Sequence, residues 1–306
     1  TTGTNSQWPD LPFAAWRDTC ETLLLWLQMV GKVRIACTPL ISHWWNATFD
    51  VTSRGLIAPA MSYHGRIFDI VCDFAEHQLR IEVSDGRAEV LTFEPMTVAD
   101  FYVAFMQALR RLDIDVHIWT MPNEIEGAIA FEQDRTHAQY DRAYVERFLQ
   151  ALVQVNRVFT DFRAGFIGKA SPVHFFWGGL DLAVTRFSGR TAPPLKGETP
   201  NVAKWVMNEA YSHEVSSCGF WPGNGGYGRA AFYVYAYPES AGYGATRLKT
   251  AGGFYDNNLG QFILPYDAVR RASDPDALLL GFLQETYEAA AELGKWDRKA
   301  LERPTR

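Results

Sequence analysis

At 306 residues, with 47% hydrophobic and 21% charged side chains, the chain has the composition of a soluble globular protein and ample material for a core. The net charge of −6 and the scarcity of basic clusters, with Arg110-Arg111 and Arg270-Arg271 on helical patterns, argue against a nucleic-acid surface. No apolar run approaches the ~20 residues that span a bilayer, which argues against a membrane protein.

The opening residues 1–7 are polar and resemble no secretory signal. Positions 14–29 then follow a helical period, with Trp16, Leu23, Leu27 and Val30 able to share a face and Glu21 placed in apolar company. A buried carboxylate must be paired or protonated, whereas one near the helix edge needs only a salt bridge. From 43 to 93 the pattern changes to strands at 43–53, 55–63, 66–74, 78–83 and 87–93. Asp85-Gly86 between alternating residues is the strongest hairpin signal. Thr97 with Asp100 three residues on predicts a capped helix over 98–112. A strand is expected at 116–120 and a linker at 121–134.

The second half begins with a long helix at 140–166, followed by strands near 172–177 and 180–187, a polar Pro/Gly loop at 188–200 and a helix over 200–213. Strands at 231–237 and 262–264 and a helix over 276–293 complete it. Helix, antiparallel sheet, helix therefore occurs twice. The expected fold is α+β, with half-repeats 1–130 and 131–306 packed as one unit around an aromatic pocket. Cys20, Cys37, Cys72 and Cys218 lack CxxC spacing, so free thiols in a cytoplasmic protein are expected.

Two stretches share a pattern. His43-Trp44-Trp45-Asn46-Ala47-Thr48-Phe49-Asp50-Val51 and His174-Phe175-Phe176-Trp177-Gly178-Gly179-Leu180-Asp181-Leu182 each run His, two aromatics, small residues, an apolar residue, Asp and an aliphatic. Gly31-Lys32 and Gly168-Lys169 precede them; Arg54 and Arg186 follow. The same match would arise from two aromatic strands alike in composition alone. If the second copy is a hairpin turning at Gly178-Gly179, Phe176 faces Asp181, and His174 lies diagonally across from that Asp on the same face. A His–carboxylate unit suits general acid/base work. Ala47-Thr48 is a poor two-residue turn, which argues against His43 meeting Asp50.

On a helix, Glu209 and His213 would stand four apart and share a face. Together with His174 they would make a two-His, one-carboxylate set able to take Zn, Fe or Mn; alternatively they form a metal-free acid/base pair or a surface pair. Arg186 and Tyr211 could orient an anionic or carbonyl substrate, with Trp44, Trp177, Trp221 and His43 as pocket walls. Gly223-Asn224-Gly225-Gly226-Tyr227-Gly228 matches GxGxxG, but it precedes a strand rather than a helix, so it reads as a loop and no nucleotide cofactor is expected.

Trp8-Pro9 through Gly31-Lys32, His43-Trp44-Trp45, Ser171 to Gly178, Asp181 to Arg190, Glu209 to Glu214 and Phe220 to Gly223 together resemble a bacterial family catalogued only as a domain of unknown function. The resemblance covers nearly the whole chain. It implies one full-length unit, no known activity and no catalytic residues, and Asp50 is atypical of it. Two functions stay open: a small-molecule hydrolase or lyase using acid/base, possibly metal-assisted, chemistry on a partly apolar substrate, or a non-catalytic protein that holds a small ligand in an aromatic cavity.

Overall fold

The computed structural model describes residues 7–304. The start at 1–6, expected to be no secretory signal, lies outside the described residues. Helix α1 (Phe13–Ala36) is buried on all sides from Thr22 to Val33, so it forms the centre of the molecule rather than a surface helix. A five-stranded antiparallel meander follows: β1 (Asp50–Val51), β2 (Gly55–Tyr63), β3 (Arg66–Asp73), β4 (Gln78–Val83) and β5 (Ala88–Thr92), paired in chain order. Helix α2 (Val98–Arg111) starts as expected, with the Thr97 side chain accepting from the Asp100 N–H. Trp26 of α1 stacks on Phe101 of α2 at 4.6 Å and on Phe93 at 5.7 Å, which fixes the two helices to one another.

The second half contributes α3 (Arg142–Ala164), β6 (His174–Phe176), β7 (Asp181–Thr191), α4 (Lys204–Ala210), β8 (His213–Trp221) and β9 (Ala231–Tyr237). It continues with β10 (Phe254–Asp256), β11 (Gln261–Pro265), α5 (Tyr266–Arg270), α6 (Pro275–Leu293) and α7 (Arg298–Leu301). Its sheet is antiparallel, in the order β10-β11-β9-β8-β7-β6. Leu182, Val184 and Arg186 point from β7 to the side covered by α3 and α6, while Asp181, Ala183, Thr185 and Phe187 point to the other side. The two sheets meet edge to edge: the Phe49 N–H donates to the Phe175 carbonyl at 2.9 Å, and the Phe175 N–H returns to the Phe49 carbonyl at 2.8 Å. The fold is α+β.

Three expectations fail locally. The span 43–53 is not a strand: Ser42–Ala47 is a 3-10 helix in which His43 and Trp44 take left-handed φ of 60° and 61°, and only Asp50–Val51 pairs. The two aromatic stretches therefore differ in conformation, because the second turns through two glycines and the first has none. The segment 116–120 has no strand. The helix expected over 200–213 stops at Ala210, and His213 opens β8. That strand lacks an apolar run because Ser216, Ser217 and Gly219 lie in the middle of the sheet, where small residues leave room for the aromatic rings of β9. Among the described residues, no helix is long and apolar enough to cross a membrane, and the four cysteines are free and buried.

Candidate functional site

The inward face of the six-stranded sheet forms the floor of a cavity of about 1350 Å³, walled by α1, the 3-10 helix at 42–47, the segment 121–129, α4 and the glycine-rich loop after β8. Polar groups converge on this floor. The register places Asp181 opposite Phe176 on β6 and Gly219 opposite Tyr233. A Cβ on Gly219 would stand 2.3 Å from the Tyr233 hydroxyl, so the bare glycine lets that phenol lie across β8. The Tyr233 hydroxyl then donates to Asp181 Oδ2 at 2.5 Å. Tyr211 and Tyr235 share a hydroxyl–hydroxyl bond of 2.9 Å, and Thr185 and Ser217 share one of 2.8 Å. Burial pushes the Asp181 carboxyl up to about 6, against the pull of the Tyr233 bond. All three phenols are held above their ordinary value, first by burial, and stay protonated donors.

The second carboxylate comes from a loop. Glu124 has a left-handed φ of 63°, a conformation that costs a non-glycine residue about 1–2 kcal/mol. The surroundings hold it there. Its N–H donates to the Pro200 carbonyl at 2.8 Å. The neighbouring Asn123 is gripped from α1: Gln28 accepts from its N–H at 2.8 Å and donates to its carbonyl at 2.9 Å. Lys32 Nζ donates to Asn123 Oδ1 at 2.5 Å and to the Met121 carbonyl at 2.9 Å. Both α1 side chains are buried, and burial lowers the Lys32 ammonium to about 8. Held this way, Glu124 lies over the β6–β7 turn, where a Cβ on Gly178 would fall 2.1 Å from its Oε1. A Cβ on Gly179, the next residue in the turn, would fall 3.2 Å from Asp181 Oδ1. Glu124 is open to the water of the cavity and enclosed by the cavity's walls, so its carboxyl is still poorly solvated. Burial, and then the charge of Asp181, push it up to about 7. Both carboxyls are thus displaced toward neutrality, and the Asp181 charge contributes to the Glu124 shift.

The model of a family of unknown function, DUF5996, matches residues 8–303. The chain belongs to that family. Neither the curated proteins nor the solved structures contain a match. The DUF5996 match therefore spans every element that walls the cavity and brings no activity with it.

Of the residues that the sequence singled out, His43, Trp44, His174, Trp177, Asp181, Tyr211 and Trp221 line this cavity. His174 and Asp181 share a face as the hairpin required, yet each has another partner. Thr48 spends its hydroxyl hydrogen on the Trp45 carbonyl at 3.0 Å, so the 3.1 Å contact between Thr48 Oγ1 and His174 Nδ1 is a donation from the imidazole. Burial, and then the charges of Arg163 and Arg34, press His174 down to about 3, so the ring is neutral and a poor base. The anion-anchor expectation for Arg186 fails. Its side chain leaves β7 on the helical face, 3.5 Å from the Phe162 ring centre and 4.3 Å from that of Tyr287, and donates to the Phe162 carbonyl.

Glu209 and His213 share no helix face, because α4 ends between them. They meet around His43 instead: Glu209 Oε1 accepts from the His43 N–H at 3.3 Å, and the two imidazole rings lie 5.4 Å apart. His43 Nδ1 donates to the Ala210 carbonyl at 3.1 Å, which leaves Nε2 to accept from Lys169 at 2.6 Å. His174 stands apart from this group, bonded to Thr48. Among the described residues, no three His, Cys, Asp or Glu side chains are placed to hold a metal ion.

Among the aromatic residues, Trp177 donates to the Ala47 carbonyl at 2.6 Å and lies on the bare backbone of Gly31, while Trp44 donates to the Val206 carbonyl at 3.1 Å. Sequence reasoning missed Glu124, Tyr233 and Tyr235. Glu124 sits in a span read as a linker, and the tyrosines sit in a strand read as core. A carboxylate in a 14-residue linker inside a compact domain was the available signal, since long loops there tend to be functional.

Proposed function

We propose that this protein is a small-molecule enzyme of hydrolase or lyase type that works by acid/base chemistry, with Glu124 and Asp181 as its working pair. The observation that carries this reading is Glu124 itself: a strained backbone, clamped by buried polar side chains, holds its carboxylate over the turn that carries Asp181 into an aromatic cavity. Strain maintained in this way concentrates at functional sites, and two interacting carboxyls displaced toward neutrality are the usual means of obtaining an acid and a base near pH 7. Near neutrality the pair takes up and returns one proton, and Tyr233 steadies the ionised form of Asp181. Trp177 and Trp221 supply apolar walls for a partly apolar substrate.

The test is a turnover screen over small esters, amides and C–O or C–N lyase substrates. Glu124→Gln and Asp181→Asn should each lower kcat by about 10²–10⁴ with the thermal midpoint kept or raised, and His174→Gln should lower it little. Saturable ligand binding without turnover across the screen would favour the non-catalytic cavity protein instead.

A further inference from the structure

The cavity walls carry one sign of charge. Glu21, Glu124, Glu126, Asp134 and Asp181 line it, and among the described residues no lysine or arginine does. Cations nearby are already engaged: Lys32 donates to Met121 and Asn123, and Lys169 to His43. The lining histidines are already engaged or neutral. His174 is held neutral, His43 accepts from Lys169, and His137 is bonded to Asp134 at 2.7 Å. Aromatic rings line the same cavity, among them Trp44, Trp177, Trp221 and Tyr233, and ring faces attract cations. Asn224 also lines the cavity, and among the described residues its Oδ1 is buried without a donor.

An anion entering this space would meet carboxylates with no counter-charge. A neutral molecule would bring no counter-charge to the carboxylates. An ammonium group answers both the carboxylates and the unpaired Asn224 Oδ1, because it brings a positive charge and several N–H donors. From this combination of acids, ring faces and an unpaired acceptor, we infer that the ligand of this cavity is an organic ammonium, a cationic amine on an apolar body, with its nitrogen held by Glu124 and Asp181. This rests on the reading of those two residues as the working pair. When the cation binds, any proton on either carboxyl is released to the buffer, and both carboxylates stand ready as bases beside the ammonium N–H.

The test compares three probes of one size and different charge on the intact protein: phenethylammonium, phenethyl alcohol and phenylacetate, by calorimetry and tryptophan fluorescence at neutral pH. The ammonium should bind at least about tenfold more tightly than the alcohol and release a proton, seen as a buffer-dependent heat, while phenylacetate should not bind. Glu124→Gln and Asp181→Asn should each weaken the ammonium about tenfold. Equal or tighter binding of the alcohol or the anion overturns the inference, as does ammonium binding indifferent to both variants, or its absence. Carbon-13 titration of the two carboxyls separates this from the parent reading. Ordinary carboxyl values overturn the acid/base pair even where the ammonium binds. Displaced values in a cavity that prefers the alcohol overturn the ammonium alone.

Discussion

Gly178 is the residue on which the site turns most directly. A Cβ there collides with the end of the Glu124 side chain rather than with backbone, so Gly178→Ala should displace the carboxylate at little cost to stability. The expected outcome is a near-unchanged melting temperature, a Glu124 titration that falls back toward the ordinary carboxyl range, and loss of whatever activity the pair supports. His174 makes a prediction of the opposite kind. Its folded value, about 3, lies below its unfolded value near 6.5. Between these the unfolded chain binds the extra proton, so the His174 contribution is intact above pH ~6.5 and lost as pH falls toward 3. Glu124 and Asp181 run the other way: their folded values of about 7 and 6 exceed the unfolded ones, so their contribution is present at acid pH and declines as pH rises through 4 to 7. Urea titrations at pH 5 and 7 should therefore show His174→Gln losing part of the acid sensitivity, and the Glu124→Gln, Asp181→Asn double variant gaining stability at pH 7 relative to pH 5. Absence of both changes would contradict the assigned environments.

At the scale of elements, α1 carries the site although it supplies none of its chemistry. Gln28 bonds the Asn123 backbone, Lys32 bonds the Asn123 side chain and the Met121 carbonyl, and Gly31 gives way to the Trp177 indole. Gln28→Leu keeps the volume and removes the grip. It should leave the Asn123 N–H and carbonyl unpaired, cost about 1–3 kcal/mol and free Glu124 from its left-handed backbone. Gly31→Ala would drive a methyl into three indole atoms within 2.3 Å, with an overpacking cost of about 1–3 kcal/mol read by chemical denaturation. Here the sequence was partly legible. The apolar period of α1, the Thr97 cap and the Asp85-Gly86 turn are local signals, and the structure contains each of them. The end of α4 was not legible, because Glu-Ala-Tyr-Ser-His suits a helix by propensity and only pairing with Thr191 of β7 makes His213 a strand residue.

At the scale of the whole molecule, one continuous core runs from Trp8 to Ala291 through both sheets and α1. The Phe49–Phe175 bonds join the sheet edges. Thermal unfolding followed by far-ultraviolet and near-ultraviolet dichroism should therefore give coincident curves, and the fragment 131–306 expressed alone should lack a formed cavity, since α1 and Glu124 stay behind. Two separated transitions would show instead that the halves fold independently.

Composition and periodicity alone determined the α+β class, the meander and most helix boundaries, because each depends on residues a few positions apart; the face shared by His174 and Asp181 followed only from the β6–β7 hairpin. Tertiary structure decided which carboxylates meet. Glu124 and Asp181 are separated by more than fifty residues and come together only because α1, the Pro200 carbonyl and the bare Gly178 hold one loop over one turn. It also decided that Arg186 is a buried cation among rings and that His174 is neutral. Charge state follows from burial and neighbours, and those are properties of the folded chain.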